Sequence, residues 1–236
     1  MNSEVLNFFQ KHKHSNFVWP LLAKKDIDSQ FNFIVNSKLP WLEILGIDAP
    51  YAKMLQEAQA LKHRFVMHRE SQQHQGWQSV CIHGMSAEHT TFPEAYGLDS
   101  KTVKYDWTDI QDQCPVTVEF FKNVFPYESY QRLRYMLLEP GGYILPHQDF
   151  ETNSVLNAMN ISLNNPDDCC LVSEFGTVPF RNSGSIFAFN NHYRHAAFNN
   201  STTARYHIIV HGIATTKFKI YVINSYQKFI KSIALP

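Results

Sequence analysis

No stretch of this chain approaches the roughly 18 consecutive apolar residues that a membrane-spanning helix needs, so no transmembrane segment is expected. An excess of either charge is missing too. Lys and Arg number 21, as do Asp and Glu, which removes the electrostatic reason to expect nucleic acid or an anionic membrane as a partner. Cysteine is scarce, and Cys81, Cys114, Cys169 and Cys170 match neither a zinc-ribbon spacing nor a disulfide framework. The first residues, Met-Asn-Ser-Glu-Val-Leu-Asn-Phe-Phe, lack the basic flank and apolar run of a secretory leader, so a cytoplasmic setting is expected. Repeats and Gly/Ser linkers are also absent, and the 236 residues are read as one domain.

What is present suffices for a sizeable core: 44% of residues are hydrophobic and 14% aromatic. From Tyr51 to Phe65, Met54, Leu55, Ala58, Leu61 and Phe65 recur at helical steps, with Pro50 at the start. From Pro115 to Val124, the same periodicity puts Val116, Phe120, Phe121 and Val124 on one side. The character changes near Tyr130. Strands are predicted over Arg132–Leu138, Tyr143–Phe150, Ala158–Leu163, Cys169–Glu174, Gly184–Phe189 and Arg205–Ile213, with a break at Pro140-Gly141-Gly142. Short strands at this cadence predict a mainly β fold, a jelly-roll (double-stranded β-helix, cupin-like) core over 119–215. Residues 1–118 are read as a mostly helical flank. Residues 216–236, with Lys219, Lys228 and Lys231 among apolar positions, form a packing or dimer-forming segment. Gly76–Gly84 reads as an edge strand of the main sheet, with a wall of the substrate pocket as the alternative.

The chemistry concentrates around His147-Gln148-Asp149. Residues two apart on a strand share a face, so imidazole and carboxylate can converge on one cation. A distant histidine would complete the two-His, one-carboxylate triad that leaves positions on Fe(II) open. His192 and His195 both compete for that place; the ten-residue step from His195 to Arg205, with Asn199 between them, favours His195. If the segment is a hairpin, His195 and Arg205 lie on adjoining strands and face one cavity, where a guanidinium binds a carboxylate in bidentate fashion. Arg205, His207, Ile209 and His211 alternate along one strand face, so the two histidines share whatever Arg205 faces; hydrogen-bonded core positions and a ligand-binding role are both open for them. Arg134 shares a face with Met136 and Leu138, and either reaches a substrate carboxylate or pairs with an acid at the rim. His63, His68 and His74 show no ligand spacing and are expected to be solvated.

Over about residues 130–212 the chain resembles the aspartyl/asparaginyl β-hydroxylase family of 2-oxoglutarate oxygenases. The Pro140-Gly141 turn before His147, the Gly184-to-Asn190 strand, His195, Asn199 and Arg205 carry the resemblance. It implies Fe(II) held by His147, Asp149 and His195, O2 as oxidant, and 2-oxoglutarate with its distal carboxylate on Arg205. Peptide-aspartyl members lack the carboxylate ligand, so Asp149 places this chain with the amino-acid hydroxylase branch. Where the family often has Arg-x-His, this chain has Ala158-Met159-Asn160, and Asn160 can donate one hydrogen bond to the co-substrate. The implied substrate is an amino acid, a peptide side chain or a related small metabolite. A cupin-like metal-dependent hydrolase or isomerase, and a non-catalytic β-barrel binding module, are the alternatives.

Overall fold

Strand alternation sets the architecture. In the strand Tyr127–His147, Leu133, Tyr135 and Leu137 are fully buried on one face, while Arg132, Arg134, Met136 and Leu138 point to the other. The first set packs under helices; of the second, Arg132 and Arg134 line a cavity, and Met136 and Leu138 pack in a small apolar cluster with Trp77. The computed structural model of the chain describes residues 2–22, 26–69, 73–149, 155–180 and 184–234. In chain order the helices are α1 (Ser3–His12), α2 (Ile27–Asn36), α3 (Tyr51–Ala60), α4 (Pro115–Asn123) and α5 (Thr216–Ala234). The strands are β1 (Trp41–Ile44), β2 (Val66–Met67), β3 (Gln75–Gly84), β4 (Asp106–Trp107), β5 (Tyr127–His147), β6 (Ala158–Ser162), β7 (Cys169–Ser173), β8 (Gly176–Thr177), β9 (Ile186–Phe189), β10 (His195–Asn199) and β11 (Arg205–Ala214).

The strands pair in the order β1-β9-β6-β11-β5-β10-β7-β8, with β3 also on β5 and bearing β2 and β4. All the pairings are antiparallel. β5 belongs to both halves. Its first part pairs with β11 and β3, and its last residues pair with β10. The two halves face each other as a double-stranded β-helix, the jelly-roll expected from the strand cadence. Helices α2 to α5 cover the outer face of the larger half, where Ile34, Met54, Phe121, Phe218, Val222 and Tyr226 meet Leu133, Tyr135, Ile161, Ile208 and Val210. α1 covers the smaller half, placing Val5 against Val172, Ala196 and Phe198.

Several boundaries differ from the sequence expectation. The α-helix from Tyr51 ends at Ala60 and gives way to a 3-10 turn, Lys62–Arg64. In α4, Phe120 and Phe121 are buried as expected, but Val116 is half-buried and Val124 exposed. The buried side runs through Thr117 and Val118 instead, because Glu57 of α3 accepts from the Val116 and Thr117 amides at 2.7 and 3.0 Å and fixes how α4 docks. Gly76–Gly84 is strand, and both of its readings apply: β3 extends the larger half, and its Trp77 lines the cavity. The flank therefore supplies strands as well as helices. In α5, Phe218, Val222 and Tyr226 pack into the core, and no helix among the described residues is long and apolar enough to cross a membrane.

Pro140-Gly141-Gly142 does not break β5 but bends it, so that one strand passes from one half to the other. Gly141 takes φ 75°, a conformation glycine adopts without steric cost. A Cβ at Gly142 would lie 2.8 Å from the Glu139 carbonyl oxygen and 3.0 Å from that of Gln75. Backbone atoms cannot swing aside as side chains do, so Gly142→Ala is expected to destabilise the fold by about 1–3 kcal/mol. Urea denaturation reads this; an unchanged midpoint would mean the bend is not as close as described.

Candidate metal centre

Register explains why two distant histidines meet. His147 closes β5, His195 opens β10, and the two are direct cross-strand partners. Their ring centroids lie 4.4 Å apart. Asp149 sits two residues beyond the end of β5, and its Oδ1 is 3.6 Å from His147 Nε2. One ligand atom from each of His147, Asp149 and His195 lies within 4.8 Å of the others. The predicted strand to Phe150 stops at His147, and Phe150 is outside the described residues. Asp149 is instead held by Asn191, whose carbonyl accepts from the Asp149 amide at 3.0 Å and whose side-chain amide donates to Asp149 Oδ2 at 2.8 Å.

The donor set suits a divalent transition metal. His147 Nδ1 lies 2.8 Å from the Leu145 carbonyl, and His195 Nδ1 lies 2.8 Å from the Tyr193 carbonyl. Each Nδ1–H is thereby committed to a backbone acceptor, leaving the Nε2 lone pair for a cation. Burial lowers both imidazoles, His195 to about 4, so both are neutral at pH 7 as ligation requires. For Asp149, burial alone would raise the carboxyl, but Arg69, His195 and His147 outweigh it and hold the group below its ordinary value. Arg69 Nη1 donates to Asp149 Oδ1 at 2.6 Å.

The cavity beside this cluster is lined by Asn160, Arg205, Arg134, His207 and His211, five of the residues singled out in the sequence. His195 and Arg205 do not form a hairpin ladder. Their strands pair with different parts of β5 in opposite halves, and the two side chains face the same cavity across it. Arg205 is 2% exposed, lies 5.1 Å from the Phe180 ring, and has no partner at Nε among the described residues. His192 stays outside; its amide donates to Asn190 Oδ1 on the turn before β10. Arg134 is not at a rim with an acid. It is buried, and its Nη1 donates to the Thr90 carbonyl at 2.8 Å. For His207 and His211, Nδ1 of each ring is buried without a hydrogen-bond partner among the described residues.

Two expectations about histidines fail. His68 and His74 are buried, only His63 of the three being exposed, because β2 pairs with β3 and both buried rings pack against Trp77. His68 Nδ1 meets Ser79 Oγ at 2.8 Å, and His74 Nδ1 accepts from the Leu145 amide at 3.1 Å, supporting the strand that carries His147. Sequence reasoning also missed Arg69 and Asn191. Asn191 follows directly on the Gly184-to-Asn190 segment and was within reach of that pattern; Arg69 carries no local signal, since its pairing spans 80 residues.

Burial lowers His74 to about 4 and takes His68, His207 and His211 well below their ordinary value. An unfolded chain protonates these rings near 6.5. Between that value and about 4 the unfolded state binds protons that the native state refuses, so stability falls as pH falls through this window. Acidifying from pH 7 to 5 should cost about 2 kcal/mol for each of His74 and His195 in metal-free protein. Urea denaturation at the two pH values tests this, and equal stability would refute it.

No curated protein sequence matches the chain. Among solved structures it is similar to a prolyl-4-hydroxylase of Pseudomonas putida, at 13% identity over 80% of this chain and 100% of that one, TM-score 0.42. It is similar also to the Trichoplax adhaerens prolyl hydroxylase solved with a hypoxia-inducible-factor peptide, at 13% identity over 84% and 97%, TM-score 0.48. A 2OG-Fe(II) oxygenase-family oxidoreductase from Burkholderia pseudomallei is similar at 12% identity over 84% and 96%, TM-score 0.43. The aspartyl/asparaginyl β-hydroxylase family model matches residues 46–214, extending the likeness back from the β5–β11 segment to take in α3, β3 and α4. With more than two-thirds of its length matched, this chain belongs to the aspartyl/asparaginyl β-hydroxylase family and is a 2-oxoglutarate-dependent hydroxylase.

Proposed function

We propose that His147, Asp149 and His195 hold Fe(II), that Arg205 binds the distal carboxylate of 2-oxoglutarate, and that the substrate is an amino acid or a peptide side chain. The observation that carries this is the convergence of two Nε2-presenting imidazoles and one carboxylate beside a buried, partly unsatisfied guanidinium in one cavity. When bound, Fe(II) with 2-oxoglutarate and O2 supplies the oxidation: the keto acid leaves as succinate and CO2, and one oxygen atom enters a substrate C–H bond.

The chain's own residues position and shield. The Leu145 and Tyr193 carbonyls lock the tautomers of His147 and His195. Asn191 holds one carboxylate oxygen of Asp149 and so presets its orientation. Arg205 fixes the far end of the co-substrate through charge-assisted bonds, and Asn160 offers an amide on the same wall. Ile144, Leu171, Phe189 and Ala197 add apolar lining beside these polar groups. Family membership supports this reading over the hydrolase, isomerase and binding-module alternatives. Anaerobic reconstitution with Fe(II), followed by aerobic screening of amino acids and peptides for substrate-dependent succinate release, tests it. Stoichiometric succinate with a hydroxylated product is expected; a product formed without 2-oxoglutarate would overturn it.

A further inference from the structure

Asp149 accepts from two side chains, one neutral and one charged. Asn191 donates an amide hydrogen to Oδ2 at 2.8 Å, and Arg69 donates from Nη1 to Oδ1 at 2.6 Å. Either bond orients the carboxylate, so orientation alone does not call for a guanidinium. Asp149 is also the single acidic group among the described residues that line the cavity. In the proposed ligand set it is the one charged member, since imidazoles ligate in their neutral form. What Arg69 adds is a fixed positive charge one oxygen atom away from any ion that Asp149 ligates.

The chain holds that charge in place. Arg69 takes φ 55°, a left-handed conformation that costs a non-glycine residue energy and persists where the surroundings demand it. Its guanidinium lies 6.0 Å from the Trp77 ring centroid and 5.8 Å from that of Phe92. Ring faces attract a cation without neutralising it. The Arg69 and Asp149 side chains are 17% and 14% exposed, so dissolved salt screens this pair much less than a surface pair.

A charge in that position discriminates between oxidation states. A ferrous ion that gives up one electron becomes ferric, and the added unit of positive charge is repelled by Arg69 at short range. The guanidinium also draws on the Asp149 oxygen that it faces. That makes the carboxylate a weaker donor, and ferric iron loses more by it than ferrous iron does. Both effects raise the reduction potential. The oxygenase reaction brings Fe(II) and O2 together, and one electron passing to O2 without substrate would leave ferric iron and superoxide.

We propose that Arg69 sets the redox poise of the metal centre, its charge on the one carboxylate ligand holding the iron in the ferrous state. This rests on the oxygenase reading and adds a residue that acts on the metal through Asp149. Arg69 is a positioning residue with an electrostatic task that Asn191 does not share.

The test is an anaerobic spectroelectrochemical titration of the full iron-loaded chain, read beside the Fe(II) affinity of each variant. Arg69→Gln keeps a hydrogen-bond donor and removes the charge. Its midpoint potential should fall by at least about 59 mV, a roughly tenfold gain in preference for Fe(III) over Fe(II). Arg69→Lys keeps the charge and should recover most of that fall. Asn191→Ala removes the neutral donor; it should weaken Fe(II) binding roughly tenfold or more and move the potential less than half as far. Arg64→Gln removes a charge that pairs with Glu88 and Asp109, outside the cavity lining, and should leave the potential unchanged. Arg69→Met repeats the charge removal if Arg69→Gln does not fold. An unmoved potential in the charge-removing variants at Arg69, or a Lys variant as low as the Gln variant, would overturn the proposal. Equal shifts in Arg69→Gln and Asn191→Ala would do so too, by reducing Arg69 to an orienting group. Wild-type protein that binds no iron would instead overturn the metal-centre reading, and the proposal with it.

Discussion

His195→Ala is expected to abolish stoichiometric Fe(II) binding, whereas His192→Ala should leave it unchanged. His195 enters the cluster because it is in register with His147 across β5 and β10 and because the Tyr193 carbonyl turns its Nε2 inward. Removing it leaves one imidazole and one carboxylate. Loss of an outer-shell partner alone typically costs 10–100-fold in metal affinity, so loss of a ligand should cost at least about a hundredfold, about 2.7 kcal/mol or more. Asp149→Ala should do the same and also release Arg69 and Asn191 from their shared partner. Anaerobic Fe(II) titration measures both. Intact binding in His195→Ala together with loss in His192→Ala would move the ligand three residues and undo the assignment.

Arg205→Ala should retain Fe(II) but bind 2-oxoglutarate at least roughly tenfold more weakly. Arg205 is nearly fully buried on the inner face of β11, and its Nε lacks a partner among the described residues. Hydrogen bonds to a charged group contribute about 1.5–3 kcal/mol each, and about 1.4 kcal/mol is one decade of affinity. Arg205→Lys should recover part of the loss, since lysine keeps the charge but not the planar fork. The measurement is calorimetric titration of the Fe(II)-loaded protein under anaerobic conditions. An unchanged dissociation constant in Arg205→Ala would remove this residue from the co-substrate site.

Local rules carried much of the reading. Alternation along β5 and β11 separates Leu133, Tyr135, Ile208 and Val210, which pack under the helices, from Arg134, Arg205, His207 and His211, which face the cavity. A period of two needs no knowledge of the partner strand, so it is visible in the chain itself. The Pro140-Gly141-Gly142 segment was harder. Its residues mark a change of direction, and without the neighbouring strands a turn and a bend within one strand look alike. The expected hairpin between His195 and Arg205 failed for a related reason: ten residues of spacing do not say whether the following strand pairs with its predecessor or crosses to the facing sheet.

The sequence by itself determined the mainly β core, the His147-x-Asp149 pair and the alternating face that carries Arg205, because each follows from backbone geometry within a few residues. Tertiary structure alone decided that His74 supports the His147 strand, that Arg69 and Asn191 hold Asp149, and that Arg132 and Arg134 lie at the end of the cavity away from Arg205. Those contacts join positions tens of residues apart, and their formation depends on burial and strand register, which are properties of the assembled sheet rather than of any local segment.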